Sequence, residues 1–242
     1  FNLNTPPPWN PCDANVARMT GGSSHGSAVA MAAALEGFAV GTDTGGSVRW
    51  PAALCGVVGY KATTDHWPQD GICPLSRYMD SIGTFTACVA DAAVIDAALL
   101  GQRSVQPKAA SALVLALPGA HFLRHIERDV QDCFARALDL LRTAGATIVD
   151  IPLPEAAEID AVFGRLIIAE WLAFTGRERF LANESRMDPV AAARIRSVLD
   201  LQADEYVRLS ARREELNGII AERAEDTDGW ISPTVVTMPA PC

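Results

Sequence analysis

Small and apolar residues run from Ser27 to Gly37 with Glu36 as the only charge, and the run predicts a helix packed closely against its neighbours. Phe38–Thr42 follows as a short buried strand. Further on, Asp91–Leu100 reads as a helix with an acidic first turn and Gly101 as its stop. Ala112–Leu117 is a strand, Ile126–Ala144 an amphipathic helix closed by Gly145, and Ala146–Ile151 a strand ended by Pro152. Beyond that the pattern turns helical, over Ile159–Phe174, Pro189–Leu201 and Asp204–Ala224, with Trp230–Ser232 as a last strand candidate. This alternation predicts an α/β fold with a largely covered sheet.

Composition narrows the classes. At 242 residues and 49% hydrophobic content the chain can bury one large core or a core with an appended helical part. A net charge of −9 argues against nucleic acid or an anionic membrane as partner, since both need a basic face. The apolar stretch Ala28–Val40 is too short to span a bilayer. Cys12, Cys55, Cys73, Cys88, Cys133 and Cys242 are scattered without metal or disulfide spacing, so free thiols and a cytoplasmic setting are expected.

The chemistry concentrates in two glycine-serine clusters, Gly21-Gly22-Ser23-Ser24-His25-Gly26-Ser27 and Gly41-Thr42-Asp43-Thr44-Gly45-Gly46-Ser47-Val48-Arg49. Glycine opens backbone geometries closed to other residues, so a serine among glycines can sit on a tight turn with several N–H groups aimed at one spot. Such a spot suits a developing oxyanion, and Ser47 is the serine nearest to it. Either cluster alone reads equally as an ordinary turn.

The two clusters and the small-residue helix between them resemble the amidase signature family, whose second hallmark is matched from Gly41 to Lys61 almost without departure. Met79-Asp80-Ser81-Ile82-Gly83, Asp91-Ala92-Ala93, Ile231-Ser232-Pro233-Thr234 and Pro239-Ala240-Pro241 are similar to later segments of that family. The resemblance implies a mixed central sheet covered by helices, in a single domain with a sheet-rich core over 1–152, a mainly helical substrate-side region over 153–228 and a final core strand in 229–242. It implies Ser47 as nucleophile and Ser23, held by a cis peptide bond, as proton relay to a lysine. The N–H groups of Thr44, Gly45, Gly46 and Ser47 would receive the oxyanion, and Ser24, Asp43 and Arg49 would hold the loops. The variable helical region, including Leu166–Trp171 and Thr234–Pro239, would build the substrate pockets.

The family's lysine precedes its first glycine loop. Here only Lys61 and Lys108 exist; Lys61 reads as structural and Lys108 as a solvated loop residue. The chain opens at Phe1 in a Pro/Asn-rich stretch resembling the family's lead-in, so an incomplete member, lacking residues at both ends, is expected. Ala62 stands where the family usually has proline.

The reaction so implied is hydrolysis of the C–N bond of a small amide through a serine acyl-enzyme, with no cofactor or metal. The partners are a small-molecule amide substrate, no nucleic acid and no membrane, with a homodimer left open. Two alternatives stand beside it: a glutaminase-type subunit of a transfer-RNA-dependent amidotransferase, and a noncatalytic piece lacking its lysine. Gly22–Gly26 also fits G-x-S-x-G with Ser24 as nucleophile, but no hydrophobic strand precedes it. His25 reads as lining the site or facing solvent, and His121 with His125 has the i,i+4 spacing of a helical metal pair without a third ligand.

Overall fold

A computed structural model of the chain describes Pro6, residues 8–103 and residues 105–242. The lead-in resemblance falls partly outside the described residues. The chain divides into two compact units. One takes in the residues up to Val105 with Ile167–Leu201 and Pro239–Cys242, and the other Gln106–Leu166 and Gln202–Met238.

The first unit opens with α1 (His25–Ala32), β1 (Ala39–Asp43), α2 (Arg49–Cys55), β2 (Val58–Lys61), β3 (Ser81–Thr86) and α3 (Val89–Leu99). β3 is the middle strand of an antiparallel sheet, pairing Asp43 with Ser81 on the β1 side and Tyr60 with Thr84 on the β2 side. The hydrophobic pattern did not predict β3. Five of its six residues are buried, so neither face is left to show an alternating polar signature, and serine and threonines fill sites where apolar side chains would have marked a strand. α2 is equally unannounced, being seven residues long with Pro51 in its first turn.

α1 ends well before the predicted Gly37. Ala34 turns left-handed at φ 54° to send the chain toward β1, and Leu35 is left exposed. A run made almost wholly of small residues carries no period that could mark this end. The core behind the turn packs Ala28 and Met31 of α1, Val48, Ala52 and Cys55 around α2, and Phe85 of β3.

In the second unit β4 (Val114–Leu117) pairs in parallel with β5 (Thr147–Asp150) and β6 (Gly229–Trp230), around α4 (Ala120–Leu123) and α5 (Arg128–Thr143). α5 ends one residue short of its predicted end and Gly145 follows at φ 94°. α4 stops at Leu123, so His121 and His125 do not share a helix face; His121 instead lies 3.2 Å from Asp160 and 2.9 Å from Arg124. The geometry that the metal spacing required is therefore not present.

The helical stretch comprises α6 (Ala156–Thr175), α7 (Arg177–Asn183), α8 (Pro189–Arg196) and α9 (Ala203–Arg223). Asp188 caps α8 by accepting the N–H groups of Val190 and Ala191, both at 3.0 Å. Its end falls at Arg196, not at Leu201, where Ser197 turns its hydroxyl onto the Arg194 carbonyl. Trp171 packs with Ile168 and Leu172 on a cluster of Phe180, Ala192 and Ile195, so this side chain of the expected substrate region serves packing. With one antiparallel and one parallel sheet among helices, the fold is mixed α/β.

Candidate active site

The segment from Thr44 to Val48 joins β1 to α2, and Asp43, the last residue of β1, determines its course. The Asp43 side chain is fully buried. It accepts the N–H groups of Gly46 at 2.7 Å, Val48 at 3.1 Å and Arg49 at 3.2 Å. Two of these are N–H groups at the start of α2 that have no partner within the helix, so the carboxylate caps the helix from inside the turn. Arg49 completes the set as a fork, Nε to Oδ2 at 3.0 Å and Nη2 to Oδ1 at 2.8 Å. Burial pushes the Asp43 carboxyl up, but the hydrogen bonds and charge of Arg49 and the backbone donors outweigh it and hold it below the usual range. The same hydrogen bond raises the Arg49 guanidinium.

Ser47 therefore sits between two fixed neighbours. Gly46 bends the chain at φ 117°, a region open to glycine, and Val48 is fully buried in the core. Ser47 itself is half-buried.

The first cluster is fastened to the same strand. Ser24 Oγ donates to the Thr42 carbonyl at 3.2 Å and Ser27 Oγ to that of Val40 at 2.8 Å. Gly41 makes the approach possible, since a Cβ there would stand 2.7 Å from Ser24 Oγ and 2.9 Å from the Phe85 ring. The Ser24 N–H donates to the Ser47 carbonyl at 3.2 Å, which joins the two clusters directly. The Gly22–Ser23 peptide bond is cis, the geometry the family resemblance implies, and Ser23 is exposed. With its hydroxyl held by a strand carbonyl and no strand leading into it, Ser24 does not fit a nucleophile elbow. His25 is half-buried at the start of α1.

Among the described residues the N–H groups of Thr44, Gly45 and Ser47 have no protein acceptor. The fourth of the expected oxyanion donors, Gly46, differs: its N–H is engaged by Asp43. The sequence places four N–H groups in one turn, but only the folded turn shows which of them the capping carboxylate takes.

Around this turn lie two contacts that the sequence reading left unassigned. Thr44 Oγ1 donates to Asp80 Oδ1 at 2.5 Å, and Asp80, 4% exposed, accepts the N–H groups of Leu75 and Ser76 through Oδ2 at 2.8 and 3.0 Å. Ser76 Oγ in turn donates to Glu170 Oε2 at 2.7 Å. The sequence signals for Asp80 are its place in the family-like segment Met79–Gly83 and directly before a buried strand, and neither assigns it a partner. Lys61 donates to the Ala62 carbonyl at 2.5 Å and to Ser81 Oγ at 3.1 Å. Burial, helped by the Arg49 charge and opposed by Asp43, lowers its ammonium below the ordinary lysine value. Lys108 pairs with Asp228. All six cysteines are free; Cys55 is the buried one, and burial, with a smaller contribution from Cys12, pushes its thiol up to about 11. No group of histidine, cysteine and carboxylate side chains able to hold a metal occurs among the described residues, and no described helix is long and apolar enough to cross a membrane.

The mixed α/β fold is one that a solved amidase shares. A crystal structure of an amidase superposes with a TM-score of 0.84 at 29% identity, over 93% of this chain and 51% of that one. The amidase family model matches residues 3–241, and the chain belongs to that family. It is 34% identical over 238 residues to 2-amino-5-chloromuconic acid deaminase of Comamonas testosteroni, covering 96% of this chain and 51% of the relative. It is 30% identical over 220 residues to a mitochondrial glutamyl-tRNA(Gln) amidotransferase subunit of Rattus norvegicus, covering 85% of this chain and 40% of the relative. The chain thus spans about half the length of these curated relatives, or less.

Proposed function

We propose that the whole protein hydrolyses the C–N bond of a small carboxamide through an acyl-enzyme on Ser47. The observation that carries this reading is the bond from the Ser24 N–H to the Ser47 carbonyl, which sets Ser23 and Ser47 in adjoining loops beside the unclaimed N–H groups of Thr44, Gly45 and Ser47. Ser47 Oγ forms a bond to the amide carbon while its proton passes through Ser23 toward the lysine that the family carries ahead of its first glycine loop. The carbonyl oxygen, now negative, takes hydrogen bonds from the unclaimed N–H groups, and one such donor contributes roughly 3–4 kcal/mol to the barrier. The C–N bond then breaks as the nitrogen takes the proton back through the relay. Water attacks the acyl carbon by the same path and frees both the acid and Ser47 Oγ. Ser24, Asp43 and Arg49 act on this chemistry through the position of the loops.

Likeness to a glutamyl-tRNA(Gln) amidotransferase subunit supports a second reading, in which glutamine is the amide and partner proteins take the ammonia. One experiment separates the readings. The whole protein is offered primary carboxamides, glutamine among them, and released ammonia and acid are counted. Equimolar ammonia and acid from a simple carboxamide, lost on Ser47→Ala, is the expected result. Turnover of glutamine alone favours the second reading, and ammonia release unchanged in Ser47→Ala would overturn both.

A further inference from the structure

We propose that Asp80 is a positioning residue for the oxyanion loop, acting through the Thr44 hydroxyl. The inference rests on the reading of Thr44–Ser47 as that loop. Asp80 is 4% exposed, and among the described residues no cation pairs with it. A carboxylate withdrawn from water must be satisfied by hydrogen bonds, and its surroundings supply three: two backbone N–H groups on Oδ2 and the Thr44 hydroxyl on Oδ1. The carboxylate is held rigidly by its own turn. Asp80 N donates back to the Ser76 carbonyl at 3.0 Å, the Met79 N–H to Ser76 Oγ at 3.2 Å, and Ser76 Oγ to Glu170 on α6.

Thr44 is the first residue of the oxyanion loop, directly after Asp43 at the end of β1. At its other end the loop is fixed by Val48 in the core and by Asp43, which claims the N–H groups of Gly46, Val48 and Arg49. Asp43 leaves Thr44, Gly45 and Ser47 unclaimed, and between Asp43 and Gly46 the side-chain anchor is Thr44 on Asp80. Gly45 has no side chain with which to fix itself and is exposed. The direction of the Gly45 N–H group, which follows Thr44, therefore depends on the Thr44–Asp80 bond, and a fixed direction is what makes such a donor effective toward a charge that appears only during reaction. Asp80 touches neither substrate nor nucleophile in this account, and the aim of this donor is its whole contribution.

The test is the kinetics of fluorophosphonate labelling of Ser47 in the whole protein, where the Ser47 Oγ–P bond forms and the P–F bond breaks. Binding (KI) and reaction (kinact) are measured separately, with melting temperature alongside. Thr44→Val, which removes the hydroxyl alone, is expected to lower kinact by about tenfold or more with KI changed less than about twofold, as for an interaction made in the transition state. Thr44→Ser recovers most of the loss. Asp80→Asn lowers kinact similarly, and the double variant is no worse than the poorer single one within about twofold, because both remove one linkage. Should Asp80→Asn fail to fold, the comparison of Thr44→Val with Thr44→Ser decides alone. A clamp that served stability only would lower the melting temperature and leave kinact of the folded protein unchanged, and that result overturns the inference, as do effects that multiply. If the wild type is not labelled at Ser47, the reading of the loop fails and the inference falls with it; a labelled wild type with unaffected variants overturns the inference alone.

Discussion

Arg49 grips both carboxylate oxygens of the buried Asp43, and the two residues lie six apart across the turn that presents Ser47. Removing the guanidinium leaves a buried carboxylate supported by backbone N–H groups alone. Breaking a fully buried pair costs ~3–5 kcal/mol, but Arg49 is 46% exposed and water replaces part of what is lost. Arg49→Ala is expected to cost about 2 kcal/mol in denaturant titration, with a slower labelling of Ser47. Arg49→Lys restores the charge and not the fork, so it falls between the two. An unchanged midpoint and rate in Arg49→Ala would remove this role.

The same pair carries a pH dependence. The folded Asp43 carboxyl lies below its unfolded value, so its stabilisation is complete above the unfolded pKa of about 3.9 and is lost as pH falls through the lower folded value. Stability followed by denaturant midpoint below about pH 4 is expected to fall more steeply in the wild type than in Asp43→Asn. Parallel curves for the two proteins would contradict this.

Gly41 and Gly37 make a matched pair of substitutions. A Cβ on Gly41 strikes Ser24 and Phe85, whereas one on Gly37 meets nothing within 4 Å. Gly41→Ala is expected to cost about 1–3 kcal/mol and to slow Ser47 labelling at least tenfold by displacing Ser24 from Thr42. Gly37→Ala should stay within about 0.5 kcal/mol of the wild type. Equal effects would mean that the close approach of the first loop to β1 is unimportant.

Cysteine reactivity reports on the core behind the turn that holds Ser47. Cys55 is 6% exposed in the cluster with Val48 and Phe85, and its raised thiol remains protonated at pH 8. Alkylation of the native protein is expected to modify the five exposed cysteines of this chain and to spare Cys55, which reacts only after unfolding. Mass spectrometry of the peptide holding Cys55 checks it, and rapid native alkylation there would contradict the packing. Phe85→Ala, which empties the same cluster, should cost about 3–5 kcal/mol and open Cys55 to the reagent.

How far the sequence carried depends on what each element uses to hold itself. α5 has a clear amphipathic period and a glycine stop, and its predicted bounds lie within two residues of those observed. β3 and α2 are held by tertiary contacts, β3 by burial of polar residues between two strands and α2 by a carboxylate six residues before its first arginine, so local pattern missed both. The two serine loops stood out through their resemblance to the amidase signature, since spacing alone reads equally as ordinary turns. What spacing could not reveal is how hydrogen bonds are shared out: that Asp43 takes Gly46 from the expected donor set, and that Asp80, distant in sequence, anchors Thr44.

The most direct test is to treat the whole protein with a fluorophosphonate and locate the adduct by peptide mass spectrometry. The account predicts a single adduct on Ser47, absent from Ser47→Ala and formed slowly in Ser23→Ala. An adduct on Ser24 or elsewhere, or equal labelling of wild type and Ser47→Ala, would contradict it.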